Sequence, residues 1–364
     1  MAPALTRAEV EAWQLANRYA RDIKRVYAEA ERTLFEKITK RLAKGLSLDA
    51  ATWEAQRQGD VSGLMREARA IVQAVQAEDP AVAKAVETAY RAGMKEAVAS
   101  LTAAHIADIA APAPFRTGHA LEQLTKLLLD STRATHTRML RVTDDVYRNV
   151  IAQAAQQATA GAISLTDAAQ LALNRFADKG ITGFVDSVGR NWGLQEYVDM
   201  ATRTTTANAS REGHIDQMQA NGFDLVKISR HGNCCPLCAP WEGKVLSLSG
   251  KSEKYPALEE ARAAGLFHPN CGHRTLLWTP DMPADDDGQP EYDPQAYAAE
   301  QKQRAYERGI RQWKKREAVA LTPEGKRQAA AKVKEWQGKQ REWIANSGHD
   351  LRRNYSRESI AHAL

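Results

Sequence analysis

A stripe of apolar residues, spaced three and four positions apart, runs from Val10 to Ile38 and constrains the fold more than any other feature of this chain. Its members are Val10, Trp13, Ala16, Tyr19, Ile23, Val26, Ala30, Leu34 and Ile38. Only a helix places residues with that spacing on one side. The preceding run Thr6-Arg7-Ala8-Glu9 has the pattern of a capping box, and Gly45 offers a stop. We therefore predict a long amphipathic helix here.

The same periodicity continues as far as residue 221. It predicts helices at about 48–58, 61–78, 81–103, 121–160 and 194–221, a further helix that starts at Ser164, and boundaries at Gly59-Asp60 and Asp79-Pro80. Aromatic residues make up only 7% of the chain, and the abundant alanine and long polar residues favour helices over strands. The sequence thus predicts a mainly α protein.

All four cysteines and three of the nine histidines lie between His231 and His273. A Cys-x-x-Cys turn followed about 30 residues later by a short Cys/His knuckle is typical of a tetrahedral zinc site. The predicted ligands are Cys235, Cys238 and Cys271, with His268 and His273 competing for the fourth position and His231 and Cys234 in reserve. The alternative is that Cys235 and Cys238 are merely buried or form a redox-active dithiol. A thioredoxin-like dithiol would need a βαβ context that we do not find.

A structural zinc ion fits this pattern better than a catalytic one. A catalytic site needs an open coordination position and a nearby general acid or base, commonly a glutamate in a His-x-Glu or His-Glu-x-x-His motif. None of the nine histidines lies in either motif. Glu242 follows Cys238 by four positions, and we predict that it is a solvated turn residue. Phosphate-loop, nucleophile-elbow and dinucleotide motifs are absent from the sequence.

Short runs that resemble strands surround the cysteines, at 223–228, 245–248 and 275–278. The predicted fold class is therefore mainly α, with an elongated helical N-terminal body, a small zinc-stabilised α+β module and basic C-terminal helices at 297–321 and 323–346. The predicted domains are an N-terminal helical region (1–110), a central helical domain (115–221), the Cys/His module (222–280), an acidic proline-containing linker (281–296) and the basic C-terminal helices (297–364).

Charge is distributed unevenly along the chain. Residues 301–364 hold 16 lysines and arginines against seven acidic residues, a net charge of +9, whereas the chain as a whole carries +5. Asp281–Glu300 holds seven acidic residues and no basic ones, and Pro283, Pro290 and Pro294 are expected to interrupt any helix there. In the tail, five cations could neutralise phosphates or could lie on an ordinary solvated helix face; they are Lys314, Lys315, Arg316, Arg352 and Arg353.

Composition and length exclude several classes of protein. The 364 residues suffice for two or three domains at roughly 150 residues each. With 43% hydrophobic and 26% charged residues, the chain is not collagen-like, wholly disordered or a disulfide scaffold. No run approaches the roughly 18 apolar residues of a membrane span, and the N-terminus lacks the pattern of a secretory signal. We expect no membrane span and no export by that route.

Several runs in the second half of the chain form a familiar arrangement. They are Glu196–Thr204, Gly222–His231, Trp241–Val245 and Gly265–His273, followed by Tyr306–Arg316, Trp336-Gln337 and Arg357-Glu358. Together they resemble the phage minor capsid protein 2 family, which is related to the Mu F-type head morphogenesis proteins. The resemblance covers residues 185–364, and the N-terminal helices match in general character only.

The resemblance implies a structural virion component of a tailed bacteriophage or prophage, without enzymatic activity. Such a protein would lie in the capsid interior near the portal, after synthesis in the host cytoplasm, and would act in head assembly and in DNA packaging or ejection. Its partners would be portal and head proteins, and double-stranded DNA bound non-specifically through the basic C-terminus. The sequence does not decide whether the chain forms a homo-oligomer, because a long amphipathic stripe is compatible with both a coiled coil and an intramolecular bundle.

The wider group carries a Cys-x-x-Cys motif and a His-Pro-x-Cys-Arg-Cys motif. By resemblance, Cys235, Cys238, His268 and Cys271 match these motifs, while Gly272-His273 stands where the group has Arg-Cys. A histidine in place of cysteine can preserve zinc ligation, so the choice between His268 and His273 stays open. Two alternatives are a zinc-dependent enzyme or ejected effector built on the Cys/His module, and a cellular zinc-dependent DNA-binding protein.

Overall fold

A computed structural model describes residues 7–48, 50–104, 119–159, 164–179, 184–185, 191–230, 234–282 and 292–360. Helices dominate it, which confirms the mainly α prediction. The helices are α1 (Arg7–Gly45), α2 (Ala50–Gln76), α3 (Asp79–Ala103), α4 (His119–Thr159), α5 (Leu165–Lys179), α6 (Leu194–Ala220), α7 (Leu258–Ala263), α8 (Pro294–Ala318), α9 (Pro323–Asn346) and α10 (Tyr355–Glu358). The strands are β1 (Phe184–Val185), β2 (Asn191–Trp192), β3 (Leu225–Ile228), β4 (Val245–Ser247) and β5 (Thr275–Leu277). None of the described helices is long and apolar enough to span a membrane.

The predicted helix boundary at Gly59-Asp60 is wrong, because α2 continues through it. A glycine inside a helix costs only about 1 kcal/mol relative to alanine. The buried side chains of Val61, Leu64 and Ala68 follow directly in the same helix, and their burial outweighs that cost.

Pro294 was expected to interrupt a helix, yet it is the first residue of α8. The first helical position suits proline, since its backbone nitrogen has no intrahelical acceptor there and its φ is already helical. Helix α8 therefore begins inside the segment predicted as a linker. Residues 283–291 of that segment lie outside the described residues.

The chain divides into two compact units, each assembled from three separate stretches. Unit 1 comprises Met1–Ile23, Asp79–Ser131 and Asp199–Ala298, and unit 2 comprises Lys24–Glu78, Thr132–Val198 and Ala299–Leu364. The boundaries of the five domains predicted from the sequence stay predictions.

Unit 1 contains a three-stranded antiparallel sheet in the order β4-β3-β5. In this sheet Val226 of the central strand pairs with Leu246 on one side and Leu277 on the other. Its three strands confirm the three strand-like runs of the sequence. Helix α3 packs on β5, and Leu101 of α3 with Met218 of α6 forms a small apolar cluster beside the sheet.

Helices α3 and α6 approach each other closely at two glycines of unit 1. A Cβ atom at Gly93 would overlap the carbonyl oxygen of Ser210, and one at Gly213 would overlap that of Tyr90. The two backbones therefore lie in direct contact, which only glycine permits at these positions. This crossing fixes the position of α6, the helix that supports the Cys/His segment.

Unit 2 has a helical core with buried polar contacts. Tyr27 of α1 and His136 of α4 are almost fully buried, with ring centroids 5.7 Å apart and 2.7 Å between the Tyr27 hydroxyl and Nε2 of His136. Helices α8 and α9 pack through Trp336, whose ring occupies the space that a side chain at Gly309 would need. The two basic C-terminal helices predicted from the sequence are thus present and packed together.

Candidate metal centre

Two tight turns in unit 1 present the cysteine and histidine side chains. In the first, the backbone N–H groups of Cys238 and Ala239 both donate to the carbonyl of Cys235 at 3.0 Å. In the second, the N–H of Cys271 donates to the carbonyl of His268 at 2.9 Å. Asn270 adopts a left-handed backbone with φ of 65°, which asparagine tolerates better than most residues. Each turn therefore brings its first and fourth residues to the same side.

The two turns meet, and their side chains converge. The Sγ atoms of Cys238 and Cys271 lie 3.6 Å apart, and Nδ1 of His273 lies 3.3 Å from Sγ of Cys271. Nε2 of His268 lies 2.9 Å from Sγ of Cys235. At a tetrahedral zinc ion, two sulfur ligands are separated by about 3.8 Å and a sulfur and a nitrogen by about 3.5 Å, given Zn–S and Zn–N bonds of about 2.3 and 2.0 Å. The Cys238–Cys271 and Cys271–His273 pairs are thus close to zinc-ligand spacing, whereas the Cys235–His268 pair is closer than that spacing.

The donors form two overlapping groups that share one cysteine. One group is Cys235, Cys238 and His268, and the other is Cys238, Cys271 and His273. The structure therefore brings together all five residues predicted as ligands. Cys234 is buried but belongs to neither group, and burial raises the pKa of its thiol to about 12. His231 lies outside the described residues.

Hydrogen bonds hold both histidines in a form that could bind a metal. Nδ1 of His268 lies 2.8 Å from the carbonyl oxygen of Pro269, and Nε2 of His273 lies 2.8 Å from a carboxylate oxygen of Glu242. Because these oxygens accept hydrogen bonds, they favour a proton on the nitrogen that faces them, and the other ring nitrogen, which faces the cysteines, could offer its lone pair to a metal. Both histidines fit the role of fourth ligand.

Glu242 is a buried partner of His273, so its prediction as a solvated turn residue is wrong. Its side chain is 6% exposed. A carboxylate that accepts the second N–H of a histidine is typical of metal sites, where it fixes the orientation of the ring. The backbone turns back immediately after Glu242 because Gly243 has φ of 70°. That turn keeps the carboxylate beside the second knuckle.

A buried arginine from α6 anchors the second knuckle. Nε of Arg211 donates to the carbonyl of His273 at 2.9 Å, and Nη2 donates to that of Cys271 at 3.0 Å. Its guanidinium also lies over the ring of Phe267, 4.3 Å from the centroid. Burial lowers the pKa of Arg211 to about 10, so it stays charged at neutral pH. Sequence spacing gave no signal for this role, because Arg211 lies on a helix far from the cysteines.

The local charges favour a thiolate at Cys271. A hydrogen bond from the Cys238 thiol lowers the pKa of Cys271, and His273 and Arg211 lower it further. Burial disfavours the charged form of His273, but its hydrogen bonds to Cys271 and Glu242 outweigh that effect and raise its pKa. Thiolates are the form in which cysteine binds metals, so Cys271 could serve as a metal ligand.

The donor set matches a closed site. Cys238, Cys271 and His273 are 1%, 7% and 2% exposed, and five protein donors are available for the four positions that zinc takes in structural sites. A cavity of about 220 Å³ lies beside the second knuckle and is lined by its backbone and by α6 residues such as Arg211 and His214. A structural ion fits this arrangement better than one with an open position.

Comparison with known proteins places the chain. The description "Phage minor capsid protein 2" applies to the family that matches residues 14–345, which is nearly the whole chain. The protein belongs to the phage minor capsid protein 2 family. This confirms the resemblance noted in the sequence and extends it over the N-terminal helices.

A relative of this family member is a "Structural protein" of Lactococcus phage LL-H. The two chains are 26% identical over 261 residues, which is 67% of this chain and 68% of the relative. No solved structure matches the chain.

In this minor capsid family member, Lys315 is buried, whereas both interpretations of the sequence, a phosphate contact and a solvated helix face, need it exposed. It is 8% exposed, and its ammonium lies 3.7 Å from Glu31 and 3.6 Å from Glu196. Burial opposes the charged form, but the two carboxylates outweigh it and raise its pKa. The predicted phosphate contact does not fit this position, because the ammonium is enclosed within unit 2.

Arg316 and Arg353 are also engaged within unit 2. Arg316 pairs with Asp178, with Nε 2.8 Å from the carboxylate, and it stacks on Trp313. Arg353 makes two hydrogen bonds, of 2.6 and 2.7 Å, to the buried carboxylate of Glu358. Both guanidinium groups already have acidic partners.

Lys314 and Arg352 complete the predicted set of cations. Lys314 is half-buried, and burial lowers the pKa of its ammonium. The side chain of Arg352 is 86% exposed, with Nε 3.6 Å from Asp350. Of the five cations that the sequence singled out, Arg352 alone is fully exposed.

Proposed function

We propose that this protein is a minor structural component of a tailed-phage or prophage virion, located in the capsid interior near the portal. It acts there in head assembly and in DNA packaging or ejection, with portal and head proteins as partners. The observation that carries the proposal is the family match over residues 14–345. The match covers most helices of both units and the Cys/His segment, so we assign the family's structural role to the whole chain and not to one unit. The phage origin of the structural relative supports it.

In this proposal the Cys/His segment binds a structural Zn²⁺ ion. The ligands are Cys235, Cys238, Cys271 and one of His268 and His273. The ion would cross-link two turns that are joined by about 30 residues of chain and would stabilise the small sheet of unit 1. Five protein donors are available for four positions, and three of them, Cys238, Cys271 and His273, are buried, which favours this role over the alternative of a zinc-dependent enzyme.

The experiment that tests the virion role is quantitative mass spectrometry of purified particles from the host that encodes this chain. DNA-filled particles are compared with empty heads, and the major capsid protein serves as the internal standard. We expect a low, constant ratio of this protein to the capsid protein in filled particles. Its absence from both particle types, with the protein recovered from the cell extract, would overturn the proposal.

The position near the portal needs its own measurement. Chemical cross-linking of intact particles, followed by mass spectrometry, is expected to join this protein to the portal protein more often than to the capsid shell. The far more abundant capsid protein gives the background frequency of random cross-links. Links that follow protein abundance alone would contradict the portal location while leaving the virion role intact.

A further inference from the structure

Helix α9 carries a row of exposed cations distinct from the residues that the sequence singled out. Lys326, Lys334 and Arg341 are all exposed. At about 100° and 1.5 Å per residue, the three lie within about 80° of the helix circumference and span about 22 Å along its axis. We call these three residues the α9 basic flank. The buried face of the same helix is formed by Ala329, Val333 and Gln340.

The flank differs from the other cations of α9 in its partners. Lys332 and Lys339 both bind Glu335 at 2.8 Å, and Arg327 pairs with Glu324. Within the described part of the chain, no carboxylate lies within ion-pair distance of the three flank residues. Their charge is therefore directed to solvent and available to a ligand.

The chemistry of the flank matches a phosphate backbone better than a protein surface. Protein interfaces have an apolar core and are depleted in lysine, whereas two lysines and an arginine form this flank. Single-stranded nucleic acids are bound through aromatic platforms as well as cations, and the flank has none. A row of cations about 22 Å long matches six to seven base pairs of duplex at about 3.4 Å each.

We propose that the α9 basic flank contacts the phosphates of double-stranded DNA without reading its sequence. The inference deepens the proposed function, since it names the surface through which a protein in the capsid interior would meet packaged DNA. It also replaces the buried and paired cations Lys315, Arg316 and Arg353 as the contacting residues. Contacts of this kind position a protein on DNA and carry no base preference.

The salt dependence of binding gives a quantitative expectation. Each phosphate contact contributes about −0.9 to the slope of log K against log salt concentration for duplex DNA. If all three flank residues make contacts, their removal changes the slope by about 2.7.

The test uses the full-length protein and two 30-base-pair duplexes of unrelated sequence, in fluorescence anisotropy titrations between 50 and 200 mM salt. The variant K326Q/K334Q/R341Q is expected to bind both duplexes at least tenfold more weakly at 100 mM and to show the shallower slope. The control K302Q/K332Q/K339Q removes the same charge from lysines that already contact Trp343 or Glu335. It is expected to retain most of the affinity. Circular dichroism checks that both variants are folded.

Three results would overturn the proposal. They are no duplex binding by the wild-type protein at 50 mM salt, equal losses in the flank variant and the control, and a preference for one duplex sequence. Normal DNA binding by the flank variant would overturn it as well, and loss of that variant from particles would then indicate that the flank binds an acidic protein surface instead. Failure of DNA binding is distinct from failure of the virion role, which the particle measurement tests separately.

Discussion

The carboxylate of Glu242 orients His273 at the Cys/His cluster, and its removal has a predictable effect. We expect Glu242→Gln to weaken zinc binding by at least about tenfold, because the neutral amide holds the imidazole less firmly and makes it a poorer ligand. Competition with a coloured chelator measures the affinity. Glu259→Gln is the matched control, since the side chain of Glu259 is 74% exposed in the same unit. Equal affinities of Glu242→Gln and the wild type would show that His273 is not a ligand.

The candidate site also shows how far single residues can be predicted from sequence. Cys235, Cys238 and Cys271 were found because their spacing reflects the local geometry of two turns. Glu242 and Arg211 were not recognised, because their roles depend on the packing of a turn and a helix against the second knuckle. Such contacts arise from tertiary structure and leave no periodic signal in the chain.

His214 gives unit 1 a specific sensitivity to acid. It is 2% exposed, and Nδ1 lies 3.0 Å from the hydroxyl of Thr275. Burial, reinforced by Arg274, lowers its pKa to about 4, against about 6.5 in the unfolded chain. Between these values the unfolded chain binds a proton that the folded protein does not, so stability falls as pH decreases from about 6.5 to about 4.

We expect His214→Gln to lose about 2 kcal/mol less stability than the wild type between pH 7 and pH 5, because glutamine does not titrate. Urea unfolding at the two pH values measures the difference. Other acid-sensitive groups are common to both proteins and cancel in the comparison. An equal loss in the two proteins would contradict the assignment.

Among the elements, the crossing of α3 and α6 has the strictest steric requirement. Gly93→Ala and Gly213→Ala each place a methyl group against a backbone carbonyl of the other helix. We expect each variant to destabilise unit 1 by about 3 kcal/mol or more, because neither backbone can yield without separating the helices. The control is Gly59→Ala, a site with no atom within 4 Å of the new methyl group, which is expected to stabilise α2 by about 0.5–1 kcal/mol. Chemical denaturation measures all three, and tolerance of alanine at both crossing positions would contradict the packing.

Most elements could be predicted from sequence, and the errors have physical causes. The start of α5 was recognised from Ser164, whose hydroxyl accepts a hydrogen bond from the N–H of Asp167 at 3.1 Å. The predictions of a helix break at Gly59 and of a linker through Pro294 are wrong. Glycine ends many helices but is tolerated inside one at a small cost, and proline disrupts a helix interior but suits its first position. At Gly59 the cost of glycine is small compared with the burial of the apolar residues that follow it, and at Pro294 the preference of proline favours the start of a helix.

For the whole molecule, the metal proposal predicts one zinc ion per chain and a large effect of its removal. A strong chelator is expected to lower the free energy of unfolding by several kcal/mol, because ion binding and closure of the Cys/His segment are coupled. Elemental analysis and thermal unfolding measure the two quantities. Cys238→Ser is expected to abolish the zinc content, whereas the neighbouring Cys234→Ser retains it. Zinc-free protein of unchanged stability would contradict the structural role.

The order of strands in the sheet has a consequence for synthesis of the chain. The central strand β3 can pair with β4 as soon as β4 has been synthesised. Its other edge stays unpaired until β5 is complete, 30 residues after Ser247. At about 5–20 residues per second, a ribosome needs about 2 to 6 seconds to make that interval. The same interval supplies His268, Cys271 and His273. A nascent chain interrupted there has an unpaired strand edge and lacks three of the five donors of the Cys/His cluster, so we expect it to be a substrate for chaperones or proteases.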